Sequence, residues 1–205
     1  MAEVPGTSSR QRWTLALVCT AAFMLLLDIT VVSVALPSIQ RDLRASLPDL
    51  QWVSAAYALV LAVLLLPAAT MGDRLGRRRL FLVGLVIFTG WSLACALATT
   101  ALALELFRAP QGVGGAVLFA TGTPLLRAEF SGAALARALG VFGATLGAAS
   151  AVGPLAGGVL TDTLGWRSIF FINLPIGVAA FAGGWPSCAN PATRPAAGPT
   201  GWARP

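Results

Sequence analysis

Apolar runs of nearly membrane-spanning length follow one another along this chain, and short charged segments separate them. Residues 51–70 and 80–97 are almost wholly apolar, and each approaches the roughly 20 residues that cross a bilayer as a helix. Between them lies the segment 71–80, Met-Gly-Asp-Arg-Leu-Gly-Arg-Arg-Arg-Leu, which contains four arginines. Short arginine-rich loops resist translocation, so this segment should lie on the cytoplasmic side of a membrane.

The composition is typical of an integral membrane protein. Hydrophobic residues make up 57% of the sequence and charged residues 11%, whereas a soluble domain carries roughly 25% charged residues. The net charge of +6 comes from arginine alone, since the chain has no lysine and no histidine. The arginines are spread over loops and tails, which indicates a topology signal rather than a nucleic-acid footprint. We therefore expect a lipid bilayer around the chain and no nucleic-acid partner.

The same composition argues against cofactor or enzyme chemistry. Without histidine there is no imidazole metal ligand and no imidazole proton carrier. The cysteines Cys19, Cys95 and Cys188 show no metal-binding or redox spacing, and no nucleophile has an evident base. We expect no metal, no cofactor and no enzymatic activity, and any proton movement should use carboxylates.

Six apolar spans divide the chain into three parts. Residues 1–12 form a basic tail that should stay in the cytoplasm, residues 13–186 hold the spans, and residues 187–205 form a Pro-, Ala- and Gly-rich tail without the capacity to pack. This pattern predicts a multi-pass protein of the cell's inner (plasma) membrane. The first span, about residues 14–36, has an alternative interpretation as a signal peptide, but the carboxylate in its core and the further spans argue against it.

Two charged side chains interrupt apolar spans. Asp28 lies roughly 12 Å from the outer end of the first span, and Arg108 roughly 9 Å from the outer end of the fourth, at 1.5 Å per residue. A charge inside a membrane is costly and normally pairs or lines a watery cavity. We expect the two to be neighbours across a cavity and Asp28 to exchange protons near neutral pH. The alternatives are a purely structural carboxylate and an arginine that reaches outward.

Asp73 stands out within the arginine-rich segment. Orientation of a loop needs arginines but no carboxylate, so Asp73 with Gly76, Arg77 and Arg78 predicts an ion-paired network. Gly76 tolerates the left-handed backbone that ends a helix. The alternative, most open for Arg77 and Arg79, is that the arginines only orient the hairpin.

A second copy of this corner follows three spans later. Asp162-Thr-Leu-Gly165-Trp-Arg167-Ser-Ile-Phe matches the segment that begins at Asp73 in its Asp, Leu, Gly, Arg and Phe positions. Three spans place the two copies on opposite faces, as expected of an inverted repeat of three helices plus three. The second copy has lost the surplus arginines, which fits an outward-facing loop.

Several motifs resemble those of the major facilitator superfamily. Residues 73–78 resemble its loop between the second and third helices, although Ala69 and Met71 depart from the usual pattern. Residues 27–37 resemble the first-helix motif of its drug:proton antiporters, with Ser33 in place of the usual Asn. The further similarities are a fourth-helix motif (104–116, with Pro110 unusual), a fifth-helix motif that accompanies antiport (149–158) and a sixth-helix motif of antiporters with fourteen spans (166–177).

The resemblance implies a fold and a function. The fold is an all-α integral membrane bundle of six transmembrane helices, the N-terminal half of a major facilitator fold. The function is proton-coupled export of small amphipathic compounds or drugs, driven by the proton gradient and without a cofactor. Asp28 and Arg108 would couple protons, and the segment around Asp73 would latch the inner face. The other implied roles are cavity lining (Thr30, Tyr57 and Gln111) and helix packing or bending (Gly153, Pro154, Gly157 and Gly158).

Tyr57 could equally contact a neighbouring helix. In the fifth span, about residues 138–160, Gly143 and Gly147 form a small-xxx-small pair that predicts close helix approach.

Two other functions stay open. The chain could be a truncated fragment that transports nothing by itself or serves as an interaction module, in which case its partner would be the missing C-terminal half or a second copy. An uptake symporter on the same fold is the nearest rival among transporters.

Overall fold

A computed structural model describes residues 8–184, so the predicted tail 187–205 lies outside the described residues. The regular structure of this part is entirely α-helical. In chain order the helices are α1 (Ser9–Leu43), α2 (Leu47–Leu75), α3 (Arg77–Ala96), α4 (Ala101–Glu129), α5 (Gly132–Leu164), α6 (Ser168–Phe171) and α7 (Asn173–Gly184).

Four of the described helices, α1, α2, α3 and α5, are long and apolar enough to cross a membrane. α4 is 29 residues long but is not among these four, since glycine, proline and charged residues interrupt its apolar sequence. The predicted sixth span consists of the short helix α6 followed by α7. The architecture is therefore all-helical and membrane-spanning, while the count of six spans stays a prediction.

The loops between the long helices are short. Residues 44–46 separate α1 from α2, because α1 continues to Leu43 and α2 begins at Leu47. Capping explains the start of α2: the Ser46 hydroxyl accepts from the Asp49 backbone N–H, and the Asp49 carboxylate accepts from the Ser46 N–H. Residues 130–131 likewise separate α4 from α5.

The two repeated corners share a backbone feature. Gly76 between α2 and α3 has φ of 92°, and Gly165 after α5 has φ of 82°, in the region where a Cβ is disfavoured. The ψ of Gly76 is 116°, so its helix ends in a wider turn than the predicted left-handed cap. Contacts put the corners at opposite ends of the bundle, called here the arginine end (around residues 73–79) and the Trp166 end.

Gly153 and Gly157 set the distance between α1 and α5, whereas Gly143, Gly147 and Gly158 do not. A Cβ on Gly153 would collide with the Thr30 side chain of α1, and one on Gly157 would lie 3.1 Å from Val31. Gly143 and Gly147 would meet nothing within 4 Å among the described residues, and the same holds for Gly158. The prediction of a close approach at Gly143 and Gly147 is thus wrong for this part of the chain, because these residues face away from α1.

Prolines do not interrupt the helices that contain them. α4 runs without a break through Pro110 and Pro124, and α5 runs through Pro154. The helix geometry around Pro110, which the sequence put in doubt, is therefore α-helical. Missing backbone donors are tolerated in membrane helices where neighbouring groups compensate.

Burial is uneven among the helices. Half of the most apolar stretch of α1 and of α3 is buried, but only 17% of that of α2 and of α5. Large apolar side chains on α2 and α5 are exposed, among them Leu59, Val63, Leu66, Leu155 and Val159. α4 instead packs between α2 and α3, and α1 packs along α5. Lipid or a further protein surface must therefore cover α2 and α5.

The contact between α3 and α4 offers a test of this packing. A Cβ on Gly114 would lie 2.5 Å from the Phe88 backbone nitrogen, so Gly114→Ala should force the two helices apart and cost about 1–3 kcal/mol. Gly143→Ala is the matched control and should be neutral or stabilising by up to about 1 kcal/mol, since Ala is the better helix former. Thermal unfolding of both variants in detergent would check this, and equal unfolding temperatures would contradict the packing.

Candidate functional site

A buried ion pair joins α1 and α4 in the middle of the bundle. The Arg108 Nη1 atom lies 2.6 Å from Asp28 Oδ2, and each residue is only 2% exposed. Asp28 and Arg108 are thus neighbours in the structure, as the similar depths predicted for them in the membrane suggested. A carboxylate and a guanidinium held this far from solvent need every remaining polar atom satisfied by protein groups.

Three polar side chains complete the network around this pair. Gln111, one turn after Arg108 on α4, accepts from Arg108 Nη1 at 2.8 Å and donates to Asp28 Oδ1 at 3.1 Å. Asn173 at the start of α7 donates to Asp28 Oδ1 at 3.3 Å. The Ser92 hydroxyl of α3 accepts from the amide groups of both Gln111 (2.8 Å) and Asn173 (3.2 Å). Asp28 therefore accepts three hydrogen bonds, so both of its carboxylate oxygens are satisfied by protein groups.

The guanidinium has its own ring of partners. Arg108 Nε donates to the Val53 carbonyl of α2 at 3.1 Å, and its central carbon lies 4.2 Å from the Tyr57 ring centroid. The centroid of the Phe170 ring of α6 lies 5.9 Å from the same carbon atom. Cation–π contacts of this kind gain strength when solvent is excluded. Tyr57 is thus packed against a neighbouring helix, one of the two positions that the sequence left open.

The three predicted cavity residues occupy different surroundings. Tyr57 and Gln111 belong to the buried network, and within the described part of the chain the buried Tyr57 hydroxyl has no hydrogen-bond partner. Thr30 instead donates to two carbonyls of its own helix and faces Gly153 across the contact between α1 and α5. Thr30 therefore serves helix packing in this structure.

At the arginine end, Asp73 pairs with Arg77 rather than Arg78. Arg77 Nη2 lies 2.8 Å from Asp73 Oδ1, and Arg77 Nη1 also donates to the Pro124 carbonyl of α4. The pair bridges the Gly76 turn, since Asp73 lies in the last turn of α2 and Arg77 is the first residue of α3. No hydrogen bond or ion pair of Arg78 is seen in the described part; it lines a small pocket beside Glu129, which pairs with Arg10. The Asp73 and Arg77 side chains are 62% and 41% exposed, so the pair contributes about 0–1 kcal/mol.

At the Trp166 end, the ionic contact crosses between helices. Arg167 pairs with Asp42 at the end of α1 at 2.6 Å, and Trp166 Nε1 donates to the same Asp42 oxygen at 2.9 Å. Arg167 also donates to the Ala98 carbonyl. Asp162, the counterpart of Asp73, is exposed and has no ion pair among the described residues. The second corner therefore keeps the glycine turn of the first but not its internal ion pair.

Sequence reasoning missed several members of these sites. Ser92 and Asn173 complete the network, and the buried Cys95 thiol lies 3.6 Å from the Gln111 side-chain oxygen. Asp42, which binds Trp166 and Arg167, was not predicted as a member of a site either. A polar residue inside an apolar run was the available signal for Asn173, since such residues are rare and usually functional in membranes.

The ion pair can be tested by a double-mutant cycle. Arg108→Gln leaves the Asp28 charge buried without its partner and should destabilise the protein by about 3–5 kcal/mol. Asp28→Asn combined with Arg108→Gln should recover most of this loss, because neither buried charge remains. Thermal unfolding in detergent of the wild type, both single variants and the double variant gives the coupling. Additive losses would show that the two side chains do not depend on each other.

The sequence compares closely with known export and resistance proteins. It is 42% identical over 186 residues to the tetracenomycin C resistance and export protein of Streptomyces glaucescens, covering 90% of this chain and 35% of that protein. It is 45% identical over 156 residues to the multidrug resistance protein Stp of Mycobacterium tuberculosis (76% and 29%). A riboflavin transporter of Clostridioides difficile is 36% identical (83% and 38%). The chain therefore spans about a third of the length of these relatives.

The fold has a close counterpart among solved structures. A bacterial homolog of the human lysosomal transporter Spinster, in its inward-facing and unoccupied conformation, superposes with a TM-score of 0.70 at 20% identity, covering 89% of this chain and 43% of that one. The sequence also matches the family model of the Major Facilitator Superfamily over residues 18–201. The chain belongs to the Major Facilitator Superfamily.

Proposed function

We propose that this chain is part of a proton-coupled exporter of small amphipathic compounds or drugs. The observation that carries the proposal is the buried Asp28–Arg108 pair, since a structural role alone favours apolar side chains at such a depth. The names of its relatives support export: they are resistance and export proteins for tetracenomycin C, several drugs, cephamycin and puromycin.

The coupling works through the charge of Asp28. The charged carboxylate holds Arg108 and, through its other oxygen, the amides of Gln111 and Asn173. A proton on Asp28 removes the negative partner of Arg108, which weakens the attraction between α1 and α4. Protonation thereby shifts the balance between two access states of the bundle, and the proton gradient drives the shift. No cofactor enters this cycle.

The corner at the arginine end serves as the conformational latch in this proposal. Asp73 and Arg77 supply its ion pair and Gly76 its turn. Arg78, which has no ion pair within residues 8–184, pairs when the bundle changes state. The contact of Arg77 with the Pro124 carbonyl ties this corner to α4, the helix that carries Arg108. Gly153, Pro154 and Gly157 hold α5 against α1, the helix that carries Asp28.

The topology we propose is six spans in an inverted repeat of three plus three, the N-terminal half of a carrier with fourteen spans. Residues 13–186 form the membrane unit, with α6 and α7 together as the sixth span, and residues 1–12 lie in the cytoplasm of a plasma-membrane protein. The glycine turns of positive φ at Gly76 and Gly165, at opposite ends of the bundle, support this repeat.

The exposed apolar faces of α2 and α5 are the proposed docking surface for a second unit. A missing C-terminal half or a second copy of the chain would fill it, consistent with relatives about three times as long. If the chain acts alone, it is inert or an interaction module. Everted vesicles that contain only this chain distinguish the cases, because an inert chain gives no substrate-dependent change in the pH gradient. The direction of that change separates export from uptake symport.

The first functional prediction concerns Asp28. The substitution is tested in the chain alone if that transports, and otherwise in the chain with its second unit. Asp28→Asn should lower gradient-driven export at least about tenfold, because an amide cannot take up the proton. Glu105→Gln, on the same helix as Arg108 and outside the network, is the matched carboxylate-to-amide control and should export normally. Drug efflux and proton release in vesicles provide the measurement. Export that stays coupled to the pH gradient in Asp28→Asn would rule out the proton role.

The second functional prediction concerns topology. Single cysteines at Arg74 and Thr163, each in a chain without its native cysteines, should react with a membrane-impermeant thiol reagent from opposite sides, Arg74→Cys from the cytoplasm and Thr163→Cys from outside. Labelling of intact cells and of everted vesicles gives the two patterns. Reaction of both cysteines from the same compartment would contradict the inverted repeat.

A further inference from the structure

Asn173 occupies a distinctive place between the proton site and the Trp166 end. It is the first residue of α7, directly after the break at Ile172 that separates α7 from α6. Its side chain is fully buried, and its amide nitrogen bridges Asp28 Oδ1 (3.3 Å) and the Ser92 hydroxyl (3.2 Å). Its amide oxygen is buried and has no hydrogen-bond partner among the residues that the structure describes, which is unusual for a polar atom inside a protein.

The polar surroundings of Asp28 come from four helices, of which α7 supplies Asn173. Of the others, α4 supplies Arg108 and Gln111, α2 supplies Tyr57, and α3 supplies Cys95 together with the Ser92 hydroxyl. α5 packs along α1 but has no ionisable side chain between Arg137 and Asp162.

α6 and α7 bring no charged residue to Asp28 within the described part. Asn173 is therefore the residue of α7 that contacts Asp28 in this part of the chain.

We propose that Asn173 is a positioning residue of the proton site. Its amide group changes its hydrogen bonding with the charge of Asp28 and thereby couples that charge to the position of α7. The inference rests on the proposed proton-coupled function. While Asp28 is charged, the Asn173 N–H groups hold its carboxylate and tie the start of α7 to α1. α6 alone separates this point from Trp166 and Arg167, which are bonded to Asp42 of α1. A change at Asp28 therefore reaches the Trp166 end through one short helix.

The same amide can serve the protonated state. A neutral carboxyl group needs an acceptor for its proton, and the unpartnered Asn173 Oδ1 supplies one when the amide rotates about its terminal torsion. The bond to the charged carboxylate is the stronger of the two, because hydrogen bonds to ionised groups are roughly twice as strong as neutral ones. Removal of the amide should therefore favour the protonated form of Asp28.

Infrared spectroscopy of the purified chain in lipid tests this inference. The carbonyl band of a protonated Asp28, assigned by its absence in Asp28→Asn, is followed against pH. The midpoint is the pH at which the band has half of its full intensity. In Asn173→Leu this midpoint should lie about one pH unit higher than in the wild type, a tenfold change in proton affinity. Asn173→Ala is a second variant with the same expected shift, in case one variant fails to fold. Circular dichroism confirms the helical fold of each variant.

Thr89→Val is the matched control. Thr89 lies on α3 against Gly177 of α7 but outside the network around Asp28, so its variant should move the midpoint by less than about a third of that shift. An unmoved midpoint in both Asn173 variants overturns the role of Asn173 while leaving the proton function intact, and so does an equal shift in Thr89→Val. A carboxyl band that appears in neither the wild type nor the variants overturns the proton function, and the inference falls with it.

Discussion

The ion pair between Asp28 and Arg108 is the constraint to which the rest of the bundle conforms. Two charges in a solvent-free interior lose several kcal/mol of hydration each, and their mutual attraction offsets this only when their remaining hydrogen-bonding groups are also satisfied. Here α2 contributes a backbone carbonyl and an aromatic ring, α3 a hydroxyl and α7 an amide. A well-packed apolar core would be at least as stable. Stability alone therefore gives little reason for the pair, and this is why the proposed coupling role rests on it.

The glycines that follow Arg108 explain how α4 can hold this pair. A Cβ on Gly112 would lie 2.7 Å from the Tyr57 carbonyl oxygen, and one on Gly115 would lie 2.8 Å from the Tyr57 hydroxyl. The absence of side chains at these positions brings α2 against α4 and lays the Tyr57 ring over the guanidinium. On the other side, Gly114 fits against the Phe88 backbone of α3. The same helix thus carries the charge and the close packing that excludes water from it.

The sequence predicts the helices, the buried charges and the two glycine corners, because these depend on composition and position along a single helix. It does not predict which faces of different helices meet. In an all-apolar span the hydrophobic pattern has no polar side to mark the exterior, so it could not decide which of the α5 glycines contact α1. Gly153 and Gly157 do, and Gly143 and Gly147 do not. Asn173 and Asp42 escaped notice for the same reason: their roles arise from contacts between segments far apart in sequence. The pairing of Asp73 with Arg77 required the geometry of the Gly76 turn.

The uneven burial of the helices indicates where the site can open. Apolar clusters enclose the network towards both ends of the bundle, and Asp28 is only 2% exposed, so a proton reaches it only after a rearrangement. The contact between α3 and α4 is interlocked at backbone distance by Gly84 and Gly114 and resists sliding. α5 contributes no polar group to the network and buries little of its surface. In the proposed cycle, a displacement of α5 would therefore break no hydrogen bond of the network, whereas a displacement of α4 would break those that Arg108 and Gln111 make to Asp28.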